Sequence, residues 1–437
     1  MHEATDTSAL ISLMLEFERS FPIVRRCLIR TNPPPYISSS DAAQLSSAGI
    51  VARLNSGALL QFHCGQMDRA QLLCDRALDY CLANLGATDS RSWIEAVFWP
   101  YVNIGRLAGT RGYVELGLHV FHDVFAASTS FTAFKIKGTL IEIPRDETRS
   151  VFPAAGFIYA TESIRCLLSN GLPNAAARFI QKLKDHMEDR ALWLELYLLS
   201  LMALRRFPEI VALVDRVIAN RTLAATDIPF LLARGEANAY LGNTRGAVES
   251  LREAEAMLPD LTLHYAHATD GKFNPGYLYL RLAMCAQLAG QHALVADYTD
   301  EALRCAESAS EISIQIRALI VAMRIGDEAK NSRMDRLRNA LAASDRVLDR
   351  ALGYICLSLV EEPDDHSSSL ADAHAITREV NTADSRRISD LITSLLPVNL
   401  PDGDLVIRSK ESQVGSPHSD ASFINLMSYL DNVSFCR

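Results

Sequence analysis

The chain has 437 residues, 49% of them apolar and 22% charged, enough for two or three compact domains or one elongated repeat domain and unlike a disordered or fibrous chain. Glycine (21) and proline (16) are too scarce for a collagenous, low-complexity or turn-dense all-β protein, so long helices are expected. The net charge of −9, with both signs interspersed, lacks the basic excess that neutralises phosphates, so no nucleic-acid partner is favoured.

Residues 1–44 read as an N-terminal helix and a Pro-rich linker: an amphipathic stretch over 7–30 is closed by TNPPPY, whose prolines cannot continue a helix. The first twenty residues have no cationic start and carry Glu3, Asp6 and Glu16, unlike a secretory signal. The longest uncharged apolar stretches, as around Leu196 to Leu204, fall short of the roughly 18 residues that read as a membrane span. Nine cysteines without a CxxC pair suit reduced thiols. A soluble, cytoplasmic protein with no membrane partner is expected. Only seven of the 43 cations are lysine, a compositional bias towards arginine, the better bidentate partner of carboxylates.

From residue 45 a helix-turn-helix pattern recurs. Gly65 sits in a polar break, with Ala70 and Ala77 five and twelve residues on; Gly242, Ala247 and Ala254 repeat that spacing, and Pro259 follows. Looser copies are Gly171, Ala176, Leu183; Arg205, Ile210, Val217; and Gly290, Val295, Ala302. A glycine lets the chain leave a helix in a left-handed conformation, a small residue five on permits close helix approach, and a proline ends the second helix. These copies resemble the tetratricopeptide (TPR) family. Turn markers at 65, about 111, 171, 205, 242 and 290 approach the family period of about 34 residues only from 171 to 242, so the repeats are degenerate. The expected fold is an all-α, TPR-like α-solenoid of antiparallel helix pairs over 45–310; unrelated helical hairpins are the alternative.

An insertion at 128–155 interrupts the helical period. In it FKIK and LIEI flank Gly138 and Thr139, either a two-residue hairpin with glycine first or an irregular loop. LPDLTLHYAHATDGKFNPGY, from Leu258 to Tyr277, is longer than an inter-repeat turn and reads as a functional loop. Residues 311–396 read as a C-terminal helical capping region, with helices from Glu311 to Ile325 and Asn331 to Leu359. Residues 397–437 read as a polar linker followed by an apolar segment, SFINLMSYLDNVSFCR, that either docks back or serves as a linear motif.

Two sets of side chains have metal-ligand spacing. Glu115, His119 and His122 share a helix flank with Asp123 adjacent, and His264, His267 and Asp270 stand three residues apart. Either set could serve a transition metal in a helical enzyme, while the blander reading makes the first a polar rim and the second a packed loop. Cys64, Cys74 and Cys81 show no nucleophile pattern, and P-loop, dinucleotide-binding, GxSxG and HExxH motifs are absent, so no cofactor is expected beyond that metal alternative.

The TPR resemblance implies that the first helices of successive pairs line a concave face holding a protein or peptide. Mapped onto this chain, that face comprises Asn55, Leu59, Phe62, Thr161, Arg165, Glu195, Leu199, Met202, Leu232, Glu236, Tyr240, Tyr277, Met284 and Gln287. It lacks the basic clamp with which some family members capture acidic chaperone termini. A scaffold or adaptor is the leading function; a peptide-sensing regulator is a further alternative, though the short N-terminal region, with Arg25, Arg26 and Arg30, is too small for a full DNA-binding domain.

Overall fold

In the computed structural model, which describes residues 10, 11, 14 and 47–395 apart from 84–89, 130–132, 138, 143–154, 185–189, 220–222, 269–272, 324, 326–328, 361–362 and 381, the turn markers share one geometry. Gly65, Gly112, Gly171, Arg205, Gly242 and Gly290 have φ between 55° and 97°. At each one the marker's amide donates to the carbonyl three residues back and the next amide to the carbonyl five back, as in Gly242 N to Ala239 O (3.1 Å) and Asn243 N to Asn238 O (2.9 Å). These bonds occupy carbonyls left over at the helix end and reverse the chain. The next helix begins two residues after the marker.

The helices are α1 (Ser47–His63), α2 (Met67–Ala83), α3 (Ser90–Arg111) and α4 (Val114–Thr129), followed by strands β1 (Ala133–Ile136) and β2 (Thr139–Glu142). Then come α5 (Ala155–Ser169), α6 (Pro173–Lys182), α7 (Arg190–Ala203), α8 (Phe207–Ile218), α9 (Ile228–Tyr240), α10 (Thr244–Ala256) and α11 (Leu258–Ala268). The last are α12 (Gly276–Leu288), α13 (His292–Ala309), α14 (Ile312–Ala322), α15 (Lys330–Ala343), α16 (Val347–Val360), α17 (Pro363–Glu379) and α18 (Ala383–Leu395). Residues Met1–Ile392 form one compact unit and Thr393–Arg437 another, and the packing below belongs to the first.

Its helices pack as neighbouring pairs: α1/α2, α3/α4, α5/α6, α7/α8, α9/α10, α12/α13, α14/α15 and α16/α17. Consecutive first helices also touch, from α1 through α3, α5, α7, α9, α12 and α14 to α16, and each second helix packs on the first helix of the next pair. This arrangement is an all-α, solenoid-like fold. The pairing runs through residue 310 without a break, the turn there being made by Ser310 with φ 55°.

The second helices bury narrow stripes. In α2 these are Ala70, Cys74, Ala77, Leu78 and Cys81, and in α10 Ala247, Ser250, Leu251 and Ala254. Five residues after the markers stand Ala70, Gly117, Ala176, Ile210, Ala247 and Val295; those with side chains are wholly buried. At Gly117 a Cβ would lie 3.0 Å from the Gly105 carbonyl oxygen, so α3 and α4 meet backbone to backbone.

Three sequence expectations are corrected. The strands pair antiparallel with Ile136 opposite Thr139, so Thr139 belongs to β2 and not to the turn expected at Gly138 and Thr139. Lys137 takes the left-handed position (φ 47°), and its Nζ bridges Asp75 (3.0 Å) and Asp79 (2.9 Å), pinning the hairpin to α2. The segment after Leu258 is helical as far as Ala268, because Pro259 and Asp260 stand in a first turn where both are favourable. Accordingly α10 stops at Ala256 without the proline. The helix expected from 331 to 359 is two, broken at Ser344, whose backbone is extended. The expected helix over 7–30 is described only at residues 10, 11 and 14, and the Pro-rich linker and the 397–437 segment lie outside the described residues.

The array returns on itself. Gly65, in the first turn, packs so closely on the last pair that a Cβ there would lie 2.6 Å from Val380 and 3.0 Å from Val347. Arg387 Nη2 donates to the Leu168 carbonyl at the end of α5 (2.9 Å).

Candidate functional site

The row of first helices carries buried and half-buried polar pairs at fixed places relative to the turn markers. Arg106, six residues before Gly112, pairs with Glu162, nine before Gly171. Glu236, six before Gly242, pairs with Arg281, nine before Gly290, so the charges occupy equivalent positions with their signs exchanged. Further along, Arg317 Nη2 lies 2.8 Å from Asp349 Oδ1, joining α14 to α16. Across the first three pairs the polar groups connect: Asn103 Nδ2 donates to Asn55 Oδ1 (2.6 Å), Arg106 Nη1 to Asn103 Oδ1 (2.9 Å), and Arg165 Nη1 stands 3.6 Å from Glu162 Oε2.

The electrostatics follow from burial. Burial alone would lower the Arg281 pKa, but Glu236 beside it, with Cys285, holds it above its ordinary value. For Asp349 burial would raise the pKa, and Arg317 and Arg346 overcome it and hold the carboxyl below its ordinary value. Against apolar substitutes such pairs add little net stability, but losing one partner leaves a buried charge uncompensated.

The residues expected to line the binding face divide into two groups. Asn55, Leu59, Phe62, Arg165, Glu195, Leu199 and Tyr240 are half-buried, whereas Thr161, Met202, Leu232, Glu236, Tyr277, Met284 and Gln287 are buried between pairs. Tyr240 stacks on Phe207 with ring centroids 4.7 Å apart. Glu195, Leu199, Met202 and Leu232 come together with Leu198, Pro229, Ala233 and Arg281 in a shallow cleft between α7 and α9. The sequence reading missed Asn103, Arg106, Glu162, Arg281, Arg317 and Asp349; their common spacing to the markers was a signal for the first four.

Among the described residues no three His, Cys, Asp or Glu side chains converge as a metal site. Glu115, His119 and His122 lie on α4; His119 Nε2 is 3.3 Å and His122 Nδ1 3.9 Å from Asp123, and His119 is half-exposed. His264 and His267 lie on α11, and Asp270 is outside the described residues. Burial pushes the thiols of Cys74, Cys81 and Cys166 up to about 12, leaving them as small apolar side chains. No described helix is long and apolar enough to cross a membrane.

Fold and packing define the class: an all-α protein of stacked helix pairs, repeat-like in its turns. No protein-family model matches the chain, and no curated protein matches it.

Proposed function

We propose that this chain is a TPR-like helical-repeat scaffold that holds an extended protein or peptide segment on the face formed by its first helices. The observation that carries the reading is the α7/α9 cleft, lined by the half-buried Glu195 and Leu199 together with the buried Leu198, Met202, Leu232 and Arg281. Apolar anchors with a few polar contacts are what an extended peptide needs from a groove. The continuous contact of first helices from α1 to α16 supports it, because a ligand several residues long can then span more than one pair.

The test is selection of peptides from a displayed random library on the full chain, followed by affinity measurement. Glu195→Arg and Leu199→Arg, both at half-buried positions, are expected to weaken the selected peptides at least about tenfold. Leu72→Arg, on an exposed part of the second helix α2, is expected to leave them unchanged. Failure to select any peptide, or equal binding by all three variants, would reject the assignment.

A further inference from the structure

Where the first turn meets the last pair there is a cavity of about 920 Å³. Its wall is built from residues far apart in sequence: Cys64 to Arg69 from the first turn and the start of α2, Arg111 and Tyr113 from the second turn, Asp345, Val347 and Arg350 at the start of α16, and Ile376 and Val380 at the end of α17. A space of this size matches those that enclose small organic ligands.

Its sheltered charge is positive. Arg350 is only partly accessible, and its Nε is buried without a hydrogen-bond partner. Arg111 is 26% exposed, while the carboxylate it meets, Asp68 (2.6 Å), is fully exposed to solvent, and Asp345 is exposed as well. Water therefore screens the two carboxylates more than the two guanidiniums. α2 and α16 both begin on this wall, so the positive ends of two helix dipoles lie at it. Val347, Ile376 and Val380 give the lining an apolar part.

We propose that this cavity is a binding site for a small organic anion, a carboxylate- or phosphate-bearing molecule whose charged end is held by Arg350 and Arg111 and whose body lies against Val347, Ile376 and Val380. Guanidiniums recognise both anion types through paired N–H donors. Because its walls come from the first two pairs and the last pair of the array, the bound anion ties the ends together. This assignment is independent of the peptide-binding face, and neither test bears on the other.

The experiment is a titration of the full-length protein with sodium pyrophosphate and, separately, sodium citrate, at constant ionic strength with sodium chloride as control. The readouts are the thermal midpoint and isothermal calorimetry. At least one anion is expected to bind saturably with a dissociation constant of about 1 mM or tighter and to raise the midpoint. Binding by pyrophosphate alone points to a phosphate ligand, and by citrate alone to a carboxylate. Arg350→Gln is expected to weaken binding about tenfold or more, with Arg350→Lys falling between. Arg111→Gln provides a second reading if Arg350→Gln does not fold, since Arg111 meets only an exposed carboxylate. No saturable response to either anion beyond the chloride control overturns the proposal. So does an affinity that the folded Gln variants leave unchanged.

Discussion

The Glu236–Arg281 pair gives the sharpest energetic test of the packing. Glu236 is wholly buried and the Arg281 side chain 8% exposed, and the Arg281 Nε already lacks a hydrogen-bond partner. Glu236→Ala removes the carboxylate that neutralises the guanidinium and leaves a buried cation between α9 and α12. The expected cost is about 3–5 kcal/mol, the usual consequence of breaking a buried pair on one side. Replacing both partners, as Glu236→Leu with Arg281→Met, removes the charge as well as the attraction and is expected to cost no more than about 1 kcal/mol or to stabilise. Urea denaturation followed by far-UV circular dichroism measures both. Since a stack of pairs can unfold in parts, amide exchange in α9 and α12 should report the same order locally. If the single variant lost less than about 1 kcal/mol, or the double variant lost as much as the single, the pair would not be held in the buried, mutually compensating arrangement described.

The same reasoning extends to other positions. Arg205, exposed and left-handed with φ 55°, occupies a place that glycine fills in the other marked turns; Arg205→Gly should stabilise by about 1 kcal/mol, measured as a higher urea midpoint. Ala247→Arg forces a long cation into a wholly buried helix contact and should cost about 1–3 kcal/mol or more, with unchanged melting refuting the register. The folded-state pKa of Asp349 lies below its ordinary 3.8, so its stabilisation is complete at pH values well above that figure and is lost as pH falls through the folded value; Asp349→Asn should flatten the acid limb of a stability-versus-pH curve. Thiols pushed to about 12 are protonated in mild base, so peptide mapping after brief alkylation of the native protein should find Cys74, Cys81 and Cys166 unmodified.

Much of the fold was legible because the signals involved are local. A residue that leaves a helix in the left-handed conformation must be glycine or tolerate strain, and the markers at Gly65, Gly171, Arg205, Gly242 and Gly290 identify five such turns. The small or apolar residue five positions on is equally local, since it faces the helix just completed. Where a distant partner decides, the reading failed. Thr139 belongs to β2 and not to the turn, and Lys137 takes the strained position while held by Asp75 and Asp79 of α2, which no pattern within the hairpin reveals. The polar run HYAHA resembles a loop in composition but sits in a helix begun by Pro259 and Asp260.

The sequence by itself determined the class of fold, the turn positions and the small or apolar residue that packs closely five positions after each marker. Only the tertiary structure decided which residues of the first helices face outward and which are sealed between pairs: Met284 and Gln287 are buried, whereas Leu199 and Tyr240 remain half-buried. It also decided that Arg106 meets Glu162 and Glu236 meets Arg281, and that Gly65 packs against Val347 and Val380, more than 280 residues further along the chain. The physical reason is the same in each case: periodicity specifies a helix face, but the partner of that face is set by how successive pairs are rotated, a sum of small packing choices that no single segment encodes.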